Sequence, residues 1–202
     1  STLSSSSAAS DVYKRQVTRL SVPAVMSWEI GAVHGGNEVW SPLADGYVEP
    51  RVEGVTSLRV SFDSEMDTSM TDPANVSIVG VNNGPQPAAC TISWSGSTLM
   101  IIDLCTALPD EDTYTVTLGA GVVSAGGCPL AGDVSLCLVA LAGDANANCA
   151  ANAQDLLAVR AQIGETVGPA NAKYDVNCNG TINAQDLLAV RACVGHSAPT
   201  CP

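Results

Sequence analysis

The ten residues NAQDLLAVRA stand at 152–161 and again, unchanged, at 183–192, in a chain of 202 residues that otherwise shows no repetition. Each copy follows a stretch with oxygen-bearing side chains at alternate positions, DANANCAA from Asp144 and DVNCNGTI from Asp175. Together they define two twelve-residue segments, 144–155 and 175–186, each closed by an Asp that opens an apolar-periodic run. A hard cation such as calcium takes about six to eight oxygens, and a twelve-residue loop supplies them from positions 1, 3, 5, 7, 9 and 12. In the first loop these are Asp144, Asn146, Asn148, the carbonyl of Ala150, Asn152 through a water, and Asp155; in the second, Asp175, Asn177, Asn179, the carbonyl of Thr181, Asn183 and Asp186. Leu156, Val159 and Ile163, and then Leu187, Val190 and Val194, recur at helical spacing, so each final Asp sits at a helix start, where a carboxylate also favours the helix dipole. One such segment reads equally well as an Asx-rich turn. Two in the same register are expected to bind two calcium ions.

Composition bounds what surrounds the repeat. A chain of this length with 46% hydrophobic residues can hold two small domains. The net charge of −12, with only eight Lys and Arg, argues against nucleic acid or an anionic membrane surface as partner, since both need a basic face. No apolar run is long enough to span a bilayer, so membrane insertion is not expected, and no charged-then-apolar leader opens the chain. Eight cysteines without a CxxC zinc pattern point to disulfides and an extracellular compartment. A monomer is expected, and the chain reads as a piece of a larger protein.

Residues 1–16, STLSSSSAASDVYKRQ, carry no amphipathic period. The ending DVYKRQ resembles translated adapter read-through, while a Ser-rich linker would have the same composition; either reading predicts disorder.

From 22 to 140 the signals are those of short strands. Leu58, Val60 and Phe62 alternate with Arg59, Ser61 and Asp63, and Tyr114, Val116 and Leu118 alternate with threonines. TISW and TLMII flank a Ser95-Gly96 turn and read as a hairpin. The fold class is an all-β sandwich followed by a small all-α module of two loop–helix repeats. The order VSFDSEMD, DPANVSIVG, SWSGSTLMI, LPDEDTYTVTL and AGGCPLAGD resembles the bacterial Ig-like domain of SbsA-type surface proteins, most specifically from Leu108 to Leu118. That resemblance implies a spacer or presentation domain, with Tyr114 where such sandwiches place a tyrosine corner.

Catalysis finds little support. His34 and His196 lie near no serine or cysteine motif and read as loop residues. Asp63 with Glu65, and Asp110 with Glu111 and Asp112, could in principle do glycosidase work, but they read as solvated carboxylates at strand ends. Trp28, Trp40 and Trp94 could stack on sugars; with a single Phe in the chain they are expected in the core.

Residues 143–195 resemble a type I dockerin, a pair of EF-hand-like loop–helix repeats that binds calcium and docks onto a cohesin domain, usually at the end of a secreted polysaccharide-degrading enzyme. No helix precedes the first loop, since LCLVALAG reads as the last strand of the sandwich, so each repeat is half an EF-hand. The family's contact positions, the tenth and eleventh of each loop, fall on Ala153 and Gln154 and on Ala184 and Gln185, where cellulosomal dockerins often carry Ser-Thr. Arg160 and Arg191 extend the same two surfaces. Position 6 favours Gly; the second loop has Gly180 and the first Cys149. Position 8 is expected to touch its counterpart in the other loop, where Ile182 fits and Ala151 is small. The first site is therefore expected to be the weaker. The expected disulfides are Cys149–Cys178 between the loops, Cys193–Cys201 closing a tail at 196–202, and Cys90–Cys105 and Cys128–Cys137 in the sandwich, among about 105 connectivities that eight cysteines allow.

The reading is a secreted, non-catalytic attachment module whose partner is a cohesin-like domain. Two alternatives stay open: the C-terminal part of a glycoside hydrolase or protease, and a calcium-stabilised cap or sorting tail without a cohesin partner.

Overall fold

The residues described in the computed structural model are 22–87, 89–132 and 134–200, and among them ten strands form. The strands are β1 (Val25–His34), β2 (Asn37–Leu43), β3 (Tyr47–Glu49), β4 (Ser57–Phe62), β5 (Val76–Gly80), β6 (Gly84–Pro85), β7 (Thr91–Trp94), β8 (Leu99–Asp103), β9 (Asp112–Leu118) and β10 (Ser135–Ala140). They form two five-stranded sheets, in the orders β2-β1-β4-β8-β7 and β3-β10-β9-β5-β6. All pairs are antiparallel except β3 with β10. Their inner faces meet in one core, to which the first sheet gives Trp28, Ile30, Leu58, Val60 and Ile102 and the second gives Ile78, Tyr114, Val116 and Leu138. Residues 1–16, with the disorder expected of them, and Cys201 lie outside the described residues.

The expected alternation holds in β4 and β9, and the Ser95-Gly96 turn joins β7 to β8. The Tyr114 hydroxyl donates to the Pro109 carbonyl at 2.7 Å, the backward reach of a tyrosine corner. Asp112 departs from its reading as a solvated turn residue, being fully buried. Burial opposes its ionisation, but N–H donors from Asn83, Asn82 and Thr113 prevail and hold its carboxyl below the usual range.

The tryptophans divide. Trp28 is in the core, and Trp94 packs against Phe62 with 5.9 Å between ring centroids while its N–H donates to the Met70 carbonyl. Trp40, expected in the core, is half-buried on β2 with the Arg59 guanidinium 4.6 Å over its ring. It can lie flat there because Gly31 beneath has no side chain; a Cβ would come within 2.8 Å of the ring.

Of the expected bridges, Cys90–Cys105 is formed. Cys128 and Cys137 are free. Cys128 closes a tight turn through its N–H to Ser124 Oγ, and Cys137 is central in β10 with its N–H on Asp45 Oδ1. Cys178 and Cys193 are free and buried, so neither Cys149–Cys178 nor Cys193–Cys201 is formed, although Cys149 is disulfide-bonded. The loops face different parts of the sandwich: Cys149 packs against a cluster of Val48, Val139 and Leu141, whereas the Cys178 thiol is buried beside Arg51 and Glu49.

No linker separates the sandwich from the paired loops. The N–H of Leu141 donates to the Glu49 carbonyl and that of Gly143 to the Pro50 carbonyl, so the chain is still pinned to the sandwich when the first loop begins. The loops lead into two helices, α1 (Ala153–Arg160) and α2 (Ala184–Ala192), packed on each other through Val159, Val190, Ile182 and Val176. Residues 196–200 do not trail away, since Ala150 bridges to Ser197 and Thr113 Oγ1 donates to the Thr200 carbonyl.

Candidate metal centre

Both loops are built around two buried carboxylates, at positions 1 and 12. Asp144 is 1% exposed, and Asp155, Asp175 and Asp186 are fully buried. In the first loop Asp144 accepts the N–H groups of Asn148 (3.1 Å) and Cys149 (2.6 Å), and Asp155 those of Asn146 (2.9 Å) and Asn152 (2.8 Å). In the second loop Asp175 accepts those of Asn179 (3.1 Å) and Gly180 (2.8 Å), and Asp186 those of Asn177 (3.2 Å) and Asn183 (2.8 Å). The lattice is the same bond for bond.

Backbone conformation repeats with it. Position 4 is left-handed in both loops (Ala147, φ 63°; Cys178, φ 57°), and so is position 6 (Cys149, φ 64°; Gly180, φ 89°). Cys149 thus takes the conformation for which Gly is preferred, at a cost the first loop bears and the second does not. Each decamer starts its helix by the same device: Asn152 and Asn183 cap the first turn through the N–H groups of Gln154 and Gln185, and Asp155 and Asp186 complete the reciprocal bond. The position-12 carboxylate thereby ties the loop to its helix.

The remaining oxygens converge only in part. The position-5 amide oxygens, of Asn148 and Asn179, accept the N–H groups of Ala150 and Thr181. The position-7 carbonyls accept the side-chain amides of Asn152 and Asn183. Asn146 Oδ1 is buried and has no hydrogen-bond partner. Among the described residues no Lys, Arg or His forms an ion pair with Asp144, Asp155 or Asp186, and Asp175 meets one group only, His34.

Such carboxylates are costly as they stand. Burial, the largest influence, raises the Asp144 carboxyl above its ordinary range against the N–H groups of Asn148 and Cys149, and the charge of Asp155 adds to the rise. Burial raises Asp186 in the same way, with Asp175 contributing. Two like charges held together out of water call for a cation. The donor set is all oxygen and contains no thiolate or imidazole ligand, which suits a hard cation.

At position 8 the Gly195 N–H donates to the Ala151 carbonyl (2.9 Å) and the Gly164 N–H to the Ile182 carbonyl (3.0 Å). Each loop is therefore clasped by the turn after the other loop's helix. The two clasps are equivalent under the 31-residue shift, the mark of a pseudo-two-fold arrangement.

Ala153, Gln154, Arg160, Ala184, Gln185 and Arg191 are all exposed. Leu157 and Leu188 lie on the same faces, each 63% exposed, and composition alone gave no reason to single them out. His34, read as a loop residue, is the buried last residue of β1, in register with Trp28, Ile30 and Ala32. That alternation within WEIGAVH was the available signal.

Residues 45–139 match the family described as bacterial Ig-like domain, and residues 142–194 the family described as Dockerin type I domain. The chain joins a bacterial Ig-like domain to a type I dockerin domain. Three solved structures of the S-layer protein SbsC are similar, all with a TM-score of 0.40: rSbsC(31-844) at 18% identity, the N-terminal part at 19%, and domains 1-6 at 18%. They cover 59%, 59% and 60% of this chain, which in turn spans only 14%, 24% and 14% of theirs. No curated protein sequence matches the chain. The β1–β2 hairpin, Val25–Leu43, precedes the matched Ig-like segment, and through His34 it too reaches the dockerin. Among the described residues no helix is long and apolar enough to cross a membrane.

Proposed function

We propose that this chain is an extracellular attachment module, in which the dockerin, ordered by two calcium ions in EF-hand-like loops, docks onto a cohesin-like domain while the Ig-like sandwich of 22–140 acts as spacer. The observation that carries the reading is the repeated lattice of N–H donors around four buried carboxylates, with Asn146 Oδ1 left unpartnered. Asp144, Asn146, Asn148, Asp155 and the Ala150 carbonyl would hold one ion, with Asn152 acting through water. Asp175, Asn177, Asn179, Asp186 and the Thr181 carbonyl would hold the other, with Asn183 in the matching role. Calcium supplies the charge that the paired carboxylates lack; the chain orients them by backbone donors and ties each to a helix. Both families are non-catalytic modules, so any polysaccharide-degrading activity would belong to a larger parent protein.

The test is capture on a panel of immobilised cohesin domains in calcium and in excess chelator. Calcium-dependent retention supports the reading. Retention by none of the panel, with calcium binding intact, favours the calcium-stabilised cap, an outcome to which the Ala-Gln pairs at positions 10 and 11 lend weight.

Unequal loops imply unequal sites. Asp175→Ala and Asp186→Ala are expected to cost calcium affinity and melting temperature more than Asp144→Ala and Asp155→Ala, because Gly180 accepts the left-handed turn that Cys149 makes under strain. Calorimetric titration of the four variants gives the order, and equal losses would show that the first loop tolerates Cys149 at no cost.

A further inference from the structure

Between the sandwich and the second loop runs a fully buried polar chain that, among the described residues, has no counterpart at the first. His34 Nδ1 lies 2.7 Å from Asp175 Oδ2, with both side chains fully buried. On its other side His34 Nε2 lies 3.1 Å from Arg51 Nη1. Arg51 is held by Glu49, through Nε to Oε1 at 2.6 Å, through its own N–H to Oε1 at 2.9 Å, and through Nη2 to Oε2. Arg51 and Glu49 are 1% and 0% exposed. A guanidinium has donors and no acceptor, so His34 Nε2 must accept and Nδ1 must carry the proton. Arg51 thus fixes the tautomer that donates to Asp175.

The backbone supports the same approach. The N–H of Gly35 donates to the Cys178 carbonyl and that of Val52 to the Val176 carbonyl, both at 3.0 Å. These are carbonyls of loop positions 4 and 2, which are not ligand positions. Gly35 and Gly36 close the β1–β2 turn with φ of 57° and 88°, and the turn sits so near the loop that a Cβ on Gly35 would be 2.7 Å from the Asn179 carbonyl oxygen. Asp144, at the equivalent place in the first loop, accepts only backbone N–H groups among the described residues.

On the reading that the loops bind calcium, we infer that His34, oriented by Arg51 and Glu49, is a positioning residue for the second calcium ion, so that this site belongs jointly to the Ig-like domain and the dockerin. The His34 N–H occupies one oxygen of Asp175 together with Gly180 and so restricts how the carboxylate can turn. Removing such an outer hydrogen bond from a metal ligand costs about 10- to 100-fold in affinity. The first loop, with no such partner, is indifferent to the change.

The test is a calcium titration of the full chain followed by amide NMR, with Gly180 reporting the second loop and Cys149 the first. His34→Leu is expected to weaken calcium at the Gly180 loop by about 10- to 100-fold and to leave the Cys149 loop unchanged. His34→Asn, which keeps an N–H donor where Nδ1 stands, is expected to restore most of the loss. Gly35→Asn keeps the left-handed turn, which Asn tolerates, while pushing the hairpin off the loop; it is expected to weaken the second loop selectively without touching the core. Unchanged affinity at the Gly180 loop, equal losses at both loops, or no rescue by Asn would each overturn the inference. Should His34→Leu fail to fold, Gly35→Asn alone decides by the same criteria. A wild-type chain in which neither amide responds to calcium would instead defeat the calcium reading itself.

Discussion

Chelating calcium is expected to release the amides of 144–194 to exchange more than about a thousandfold faster, while those of β4, β8 and β9 keep their protection. A dockerin of this size carries only about 5 kcal/mol of stability at about 0.1 kcal/mol per residue. Two ions, each held about a hundredfold above its Kd, contribute about 2.7 kcal/mol apiece. At about 1.4 kcal/mol per factor of ten, their loss is worth more than a thousandfold in the opening equilibrium. Hydrogen exchange by mass spectrometry suits this better than circular dichroism, since α1 and α2 are only 8 and 9 residues long. Because the modules share hydrogen bonds, the effect is expected to spread as far as Gly35 and Val52, whose N–H groups end on loop carbonyls. It should stop short of the core. The measurement belongs in reducing and oxidising buffer both, as the bridge at Cys149 can hold the first loop in place without metal. Protection of 144–194 that ignores chelator in both buffers would sink the metal argument.

Two acidic substitutions together are expected to abolish cohesin binding that neither abolishes alone. Leu157 and Leu188 occupy equivalent places on the two exposed helix faces and contribute little to the dockerin core, so Leu157→Asp and Leu188→Asp should each cost the fold only about 0.5 kcal/mol in helix propensity. The faces also share Ala153, Gln154 and Arg160 with Ala184, Gln185 and Arg191, and the crossed clasps at Gly164 and Gly195 relate them by a half turn. A partner that meets one face can meet the other after that rotation. Each single variant should therefore lose about twofold, the statistical weight of one orientation, and the double variant more than about a hundredfold, a strong departure from additivity between distant sites. Calcium titration of the double variant checks that the loops survive. Loss of binding from one single variant would mean that only one face is used. Unaffected binding by the double variant would move the contact elsewhere and leave recent duplication as the reason for the identical decamers.

The features legible in the sequence are those decided over short range. The register of oxygen donors in 144–155 and 175–186, the capping of each helix by Asn152 or Asn183, and the alternation in β4 and β9 all arise from bonds within a dozen residues, so pattern sufficed to place them. The Cys90–Cys105 bridge, across a 15-residue separation that brackets one hairpin, was within reach for the same reason. Tertiary structure alone decided the rest. His34 and Asp175 are 141 residues apart, and nothing local marks either as the other's partner. The free thiols of Cys128, Cys137, Cys178 and Cys193 depend on where the folded chain places each of them, and eight cysteines in a row of letters carry no such positions. Position 8 of each loop pairs across the pseudo-two-fold with the glycine turn that follows the other repeat's helix. A repeat reveals its own halves; how they clasp each other, and which side of one half a neighbouring sandwich will bury, is settled only when desolvated donors and acceptors must all be matched at once.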